Sequence, residues 1–268
     1  MRSISIFTIS GILLGFGLFL AAIFFSTDNY FMFFSLSGFL MVVGGTLAAG
    51  MISFRGRYVT RAFRDMAAII IPQNINPESL YREVGMIITW GVQGQKGGIR
   101  AMEDAIESTN ISDPFLKYGT NLLMSDYKPE ELRVMLTDAL ETTFERDMVP
   151  SYVLRTMGSY APAFGMIGTL IGMIIMLDTI GTDPTQIGPG LALALVTTLY
   201  GLLLAQLVFK PAAEKVKEKH EIMRYRNVMI MEGLIMLRNQ EFSTAIQDRL
   251  NSFLNPEFHF NIAEEKRR

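Results

Sequence analysis

The sequence predicts an all-α, four-span transmembrane helical protein, with a helical cytoplasmic domain between spans two and three and an amphipathic helix after span four. Three observations predict it. Half of the 268 residues are hydrophobic and only 19% are charged, with a mean hydropathy of +0.29, a balance unlike that of soluble domains. The charge is segregated: residues 3–54 carry one charged side chain, Asp28, and residues 156–209 carry two, Asp178 and Asp183. All 24 Lys and Arg except Arg2 lie at 55–155 or 210–268, as in a membrane protein with basic cytoplasmic parts.

Residues 4–25 form an uncharged apolar run, long enough to cross a hydrocarbon core of ~30 Å as a helix of ~20 residues. A secretory h-region is shorter, about 7–15 residues, and no A-x-A cleavage site precedes the next apolar run. A retained span is therefore expected rather than a leader. Ser26-Thr27-Asp28-Asn29 turns the chain, and residues 31–54 make the second span. Domain one is 1–54.

Residues 55–155 change character. They open with Arg55, Arg57, Arg61 and Arg64 and then carry mixed charges at helical spacing. Asn76-Pro77-Glu78, Ser112-Asp113-Pro114 and the run Asp126 to Glu131, with Pro129 inside it, are helix starts that place Pro early. β-branched alternation is scarce, so a soluble helical bundle is expected, with Trp90 in its core.

Spans three and four are 156–177 and 187–209, within a domain 156–210 that Lys210 and Pro211 close. In the last domain, 211–268, Val216, Met223, Ile230, Leu234 and Leu237 make an apolar stripe among charged residues. That pattern is a long amphipathic helix. A shorter helix near 241–254 and the basic end Lys266-Arg267-Arg268 follow. The loops near 26–30 and 178–186 hold no Lys or Arg, so both termini and the large loop are expected in the cytoplasm.

Composition closes several function classes. With no Cys there is no disulfide, thiol nucleophile, Cys-bound zinc or iron–sulfur cluster, and His220 and His259 are too few for a His-rich metal site. A net charge of −2 gives no reason to bind nucleic acid. No span holds a His, Cys, paired carboxylate or Ser–base set, so no enzyme, catalytic residue, resident metal or cofactor is expected. The glycines at 91, 94, 97 and 98 fit neither a Walker loop nor a strand–loop–helix dinucleotide motif.

The spans also lack any carboxylate, His, Lys or Arg at depth. Ion pathways through a bilayer normally carry such a group. Either the chain conducts nothing, or another subunit supplies the carboxylate. Gly168–Gly172 in span three is a G-x-x-x-G pair, and Gly11–Gly15 and Thr46–Gly50 are similar small-residue pairs that let helices approach closely. Thr169, Thr197 and Thr198 put hydroxyls at comparable depth on spans three and four. Such groups either bond their own preceding turn or stand in for water around a small cation. By composition alone, Pro162 and Pro189 mark the starts of spans three and four.

Tyr160-Ala-Pro-Ala-Phe-Gly-Met-Ile-Gly-Thr-Leu-Ile-Gly172, Ile187-Gly-Pro-Gly-Leu-Ala-Leu-Ala-Leu-Val-Thr-Thr-Leu-Tyr-Gly201 and Lys210-Pro211 resemble the pore-side helices of flagellar stator A subunits, the MotA/PomA family. The likeness extends to Gln95-Lys-Gly-Gly-Ile-Arg-Ala-Met-Glu-Asp104 and Met231-Glu-Gly-Leu-Ile-Met-Leu-Arg238. It implies a multi-pass protein of the bacterial inner membrane. It implies a homo-pentamer around a dimer of a single-span B subunit (MotB/PomB-like) whose aspartate binds the ion. Ion flow would turn the ring, and the cytoplasmic domain would push the rotor protein FliG. Lys96 and Glu103 match rotor-contact positions. Pro162 and Pro211 match prolines that couple ion flow to motion, and Thr169, Thr197 and Thr198 match the ion-path hydroxyls.

Where the family usually carries two basic residues this chain has Gln95-Lys96, which loads the contact onto Lys96 or shifts it to Arg100. Gly168-Thr169-Leu170 and Thr197-Thr198-Leu199 resemble the sodium-type members; the proton-type usually place Ala or Gly there. Sodium is therefore the expected transported cation, with the proton as the alternative. The TolQ/ExbB energy transducers share the two pore helices but have three spans and an outside N-terminus. Four spans and Arg2 favour the stator.

Overall fold

The computed structural model describes residues 6–69, 77–125, 127–179, 185 and 187–262. Asn76 and Asp126 of the expected helix starts, Arg2, the linker positions 180–184 and 186, and the basic end 266–268 lie outside them. Among the described residues every regular element is helical. Four helical stretches are long and apolar enough to cross a membrane: Ile6–Ser26, Tyr30–Ser53, Pro129–Thr179 and Ile187–Arg238. The chain divides into two compact units, residues 1–72 with 148–218, and residues 73–147 with 219–268.

In the first unit, α1 (Ile6–Ser26) is apolar all round and has no buried residue, as expected of a helix facing lipid. After a 3₁₀ turn at Tyr30–Phe33, Ser35 caps α2: its hydroxyl accepts from the Gly38 amide at 3.1 Å. Helix α2 runs Leu36–Phe39, widens into a π turn at Leu40–Gly44, and finishes as Gly45–Ser53. Tyr200 fixes this entry. Its hydroxyl donates to the Phe33 carbonyl at 2.5 Å and accepts from the Ser35 amide at 3.0 Å. The amphipathic α3 (Gly56–Ala68) buries Val59 and Ala62 against Leu154, Met157, Phe209 and Ala213.

The second unit opens with α4 (Pro77–Glu107). It is not one rod: Gly98 has φ +77° and ψ −171°, a backbone state open essentially to glycine alone. Trp90 Nε1 donates to Thr109 Oγ1 at 3.3 Å, although 19 residues of straight helix would hold them about 28 Å apart. The chain therefore doubles back at Gly98 into a helical hairpin. Helix α5 (Pro114–Leu123) starts where Asp113 caps it, Oδ1 accepting from the Leu116 amide at 2.8 Å.

Helix α6 (Pro129–Thr179) begins with the Lys128 amide donating to Glu131 at 3.0 Å, half of a capping box. It and α8 (Lys210–Arg238) contribute residues to both units. Helix α9 (Ser243–Asn251) completes the second unit. Its core gathers Ile87, Ile88, Trp90, Leu132, Met229 and Leu234, all at most 2% exposed. The expected core position of Trp90 holds.

Inside this unit Arg226 of α8 is buried among acids. It holds Glu83 through Nε and Nη2, and its Nη1 donates to Asp113 Oδ2 at 2.8 Å and to Asn227 Oδ1 at 3.2 Å. Burial opposes the charge, but Glu83 and then Asp113 outweigh it and push the guanidinium's pKa up. One cation thus ties α4, the cap of α5 and α8 together.

The structure corrects one position. Pro162 does not start a helix: it lies deep inside α6, as does Pro150. Proline removes one backbone donor, yet a membrane helix packed on its neighbour tolerates that, and here span four lies directly against Pro162. Pro189, two residues into α7 (Ile187–Leu203), does mark a helix start.

Candidate ion path and rotor-facing surface

The geometry of the candidate path comes from missing side chains. A Cβ on Gly201 would lie 2.6 Å from the Ala161 carbonyl oxygen and 3.1 Å from Pro162 Cα. One on Gly165 would lie 3.0 Å from the Thr197 carbonyl, and one on Gly172 2.7 Å from the Ala194 amide nitrogen. Spans three and four therefore touch backbone to backbone over three levels, as small residues permit where lipid supplies no hydrophobic drive.

This contact sorts the three threonines. Thr169 Oγ1 and Thr198 Oγ1 are 2.5 Å apart. Thr169 also reaches the carbonyls of Gly165 at 3.1 Å and Ala194 at 3.3 Å, and Thr198 lies 3.5 Å from the same two. Two hydroxyls and two carbonyls thus form one cluster of neutral oxygens, and both Thr side chains stay half-buried. Thr197 meets this cluster only through the Ala194 carbonyl. It is fully buried, its hydroxyl donates back to Leu193 and Ala194, and its methyl packs beside Gly168 and Gly38. Adjacent helical residues point about 100° apart, so Thr198 meets Thr169 while Thr197 meets Gly168 and Gly38, although both hydroxyls reach the Ala194 carbonyl.

At the end of span four the chain widens again. Leu204–Phe209 is a π turn in which the Lys210 amide donates to Ala205, five residues back. Pro211 follows without an N–H. Such turns recur at functional positions, and this one joins α7 directly to the exposed Lys210 and Pro211.

The hairpin arranges the charged set. Lys96 ends its first arm and Arg100 and Glu103 open its second, with Gly98 between them. Lys96 and Arg100 are exposed and Glu103 is half-buried. Gln95 has a task that a basic residue cannot perform: its Oε1 accepts from Ser243 Oγ at 3.0 Å, which ties the hairpin to the start of α9. The sequence analysis missed the reversal although Gly97-Gly98 is a recognised turn signal. It also missed Arg226, which reads as one more charge on an amphipathic helix. His220 is buried.

Residues 107–227 match the model of the MotA/TolQ/ExbB proton channel family. The chain is 33% identical to Bacillus subtilis YtxD, described as uncharacterized, over 84% of this chain and 80% of that one. It is 31% identical to the chemotaxis protein PomA of Vibrio alginolyticus (84% and 85% covered) and 30% identical to motility protein A of Borreliella burgdorferi (90% and 91%). The chain belongs to the MotA/PomA family of flagellar stator A subunits. The fold agrees: a Campylobacter jejuni MotAB structure superposes with TM-score 0.82 at 20% identity, covering 94% of this chain and 97% of that one. The flagellar MotAB stator complex of Bacillus subtilis gives 0.81 at 23% identity, covering 93% and 96%. The expected all-α membrane fold and the expected family both hold. The protein is a multi-pass inner-membrane subunit of an ion-driven flagellar stator, and its family is one of channels rather than enzymes.

Proposed function

We propose that this subunit carries sodium past the Thr169–Thr198 cluster, with the ion-binding carboxylate supplied by a single-span B subunit, and passes the resulting motion to the rotor. The observation that carries the reading is a pairing of opposites. Spans three and four hold a half-open cluster of four neutral oxygens, while no span holds a carboxylate, His, Lys or Arg. A proton moves on a carboxylate alone. Sodium is hard and takes oxygen ligands, which two hydroxyls and two carbonyls offer. In this reading Thr197 supports the cluster from behind by filling the space at Gly168.

The solved relatives are complexes of MotA with MotB, which supports a B partner for this chain. A pentamer of this subunit around a B dimer, both termini in the cytoplasm, and FliG as the rotor partner complete the proposal. Pro162, where the two pore helices touch, and Pro211, behind the π turn, are the coupling points. Lys96, Arg100 and Glu103 form the rotor-facing set.

The test is cation uptake into vesicles. The chain alone should give no more uptake than empty vesicles, and adding its B partner should restore it. Uptake by the chain alone at the level of the pair would overturn the reading.

A further inference from the structure

Beside the exposed charges the second unit has a cleft of about 230 Å³. Gly94, Ile99, Met102 and Leu237 give it apolar walls, and Gln240 and Glu241 add polar groups. Two unusual backbone positions shape it. One is the reversal at Gly98 that folds the second arm of α4 back over the first. The other is Gln240, with φ +55°, the one non-glycine residue of positive φ among the described residues. Gln240 closes α8: its amide donates to Leu237 and the Glu241 amide donates to Met236, at 3.0 and 3.1 Å. Glycine is the usual residue at such a closure.

We propose that this cleft receives one large apolar side chain of the rotor protein, on a helix that also presents carboxylates to Lys96 and Arg100. The inference rests on the rotor-facing reading of those two cations. Size allows it: an apolar cavity of about 150 Å³ already holds a benzene ring. The space is open from within, because a Cβ on Gly94 would meet Met102 only at ordinary contact distance, 3.5 Å. Ile99 is 45% exposed, a large apolar side chain left uncovered beside the cleft it lines.

Charge points to an acidic occupant. Lys96 and Arg100 directly follow the lining residues Gln95 and Ile99, and neither forms an ion pair among the described residues. Glu241, the one carboxylate in the lining, accepts from Asn239 Nδ2 at 3.3 Å. Exposed ion pairs contribute little and are screened beyond ~8–10 Å. A contact that transmits force gains its strength from a desolvated anchor ringed by polar groups, and the cleft provides that anchor site.

The experiment measures binding of the full A–B complex in lipid nanodiscs to purified rotor protein, at low and high salt. Gly94→Leu fills the cleft from inside and should weaken binding about tenfold at both salts, the effect of excluding one apolar side chain. Lys96→Glu should weaken it at low salt, with the difference shrinking at high salt. Wild-type affinity in Gly94→Leu with a clear loss in Lys96→Glu would overturn the cleft and leave the rotor reading standing. Wild-type affinity in both would overturn the rotor reading and the cleft with it. A change in the particle's subunit count would assign the cleft to a neighbouring copy and overturn the inference. Should Gly94→Leu melt early, Ile99→Ser decides: loss at both salts supports the cleft, and wild-type affinity overturns it.

Discussion

The two units hold themselves together by opposite means. In the second, large apolar side chains are taken out of water: Trp90, Leu132, Met229 and Leu234 are at most 2% exposed. In the first, the membrane-spanning helices turn many large apolar side chains outward, beside a smaller buried cluster at Leu154, Met157 and Phe209. Phe7 is 92% exposed, Leu195 63% and Ile174 65%, and spans three and four meet backbone to backbone where side chains are absent, at Gly165, Gly172 and Gly201. Water drives the first kind of packing. Lipid is as apolar as leucine and drives none, so backbone fit and polar contacts replace it. The contact between spans three and four is therefore broken by adding atoms, and the core of the second unit by removing them.

The largest effects are expected in the second unit, with Arg226 among them. Arg226→Ala strands Glu83 and Asp113 inside the second unit, and uncovering a buried pair costs about 3–5 kcal/mol. Both acids keep some solvent contact, at 20% and 28% side-chain exposure, so the lower end of that range is expected. Melting of the solubilised complex, followed by helicity, reads it.

Next come two changes that sharpen the contrast. Leu234→Ala removes a fully buried side chain and should cost about 2–5 kcal/mol, again read by melting. Gly201→Ala adds a single methyl group against the Ala161 carbonyl, and overpacking of this kind costs about 1–3 kcal/mol. Its measure is the yield of assembled complex in the membrane and the swimming of cells. A harmless Gly201→Ala would mean that the two spans are not held by backbone contact.

A smaller effect is expected on the hairpin. Lys96→Glu should lower swimming speed more than Gln95→Ala, because Lys96 is exposed and makes no ion pair among the described residues, while Gln95 spends its side chain on Ser243. Equal losses would place Gln95 in the contact itself.

The same contrast explains what could be read in the sequence. The spans were legible because charge is excluded from them over runs of some twenty residues. The helix starts at Pro77, Pro114 and Pro129 were legible because capping is local. The reversal at Gly98 was not assigned, because a glycine pair within helical spacing looks the same whether or not the chain turns there. Pro162 reads as an end by local rules; only the neighbouring helix lets it sit in the middle of α6. The separation of Thr197 from Thr198 follows from helical geometry, but what each one faces depends on Gly165 and Gly168 across the contact, which no single segment reveals. Arg226 found its acids through tertiary packing, from helices 113 and 143 residues away in sequence.

The most direct test of the ion path is swimming speed against external sodium at fixed proton-motive force, in the wild type and in Thr198→Ala, Thr169→Ala and Thr197→Ala. Speed should rise with sodium and saturate. Thr198→Ala and Thr169→Ala should move the half-saturating sodium concentration upward by about tenfold, the cost of losing one oxygen ligand worth about 1.4 kcal/mol. Thr197→Ala should instead reduce the amount of assembled complex and leave that concentration in place. Speed that ignores sodium and collapses with a protonophore would contradict the account.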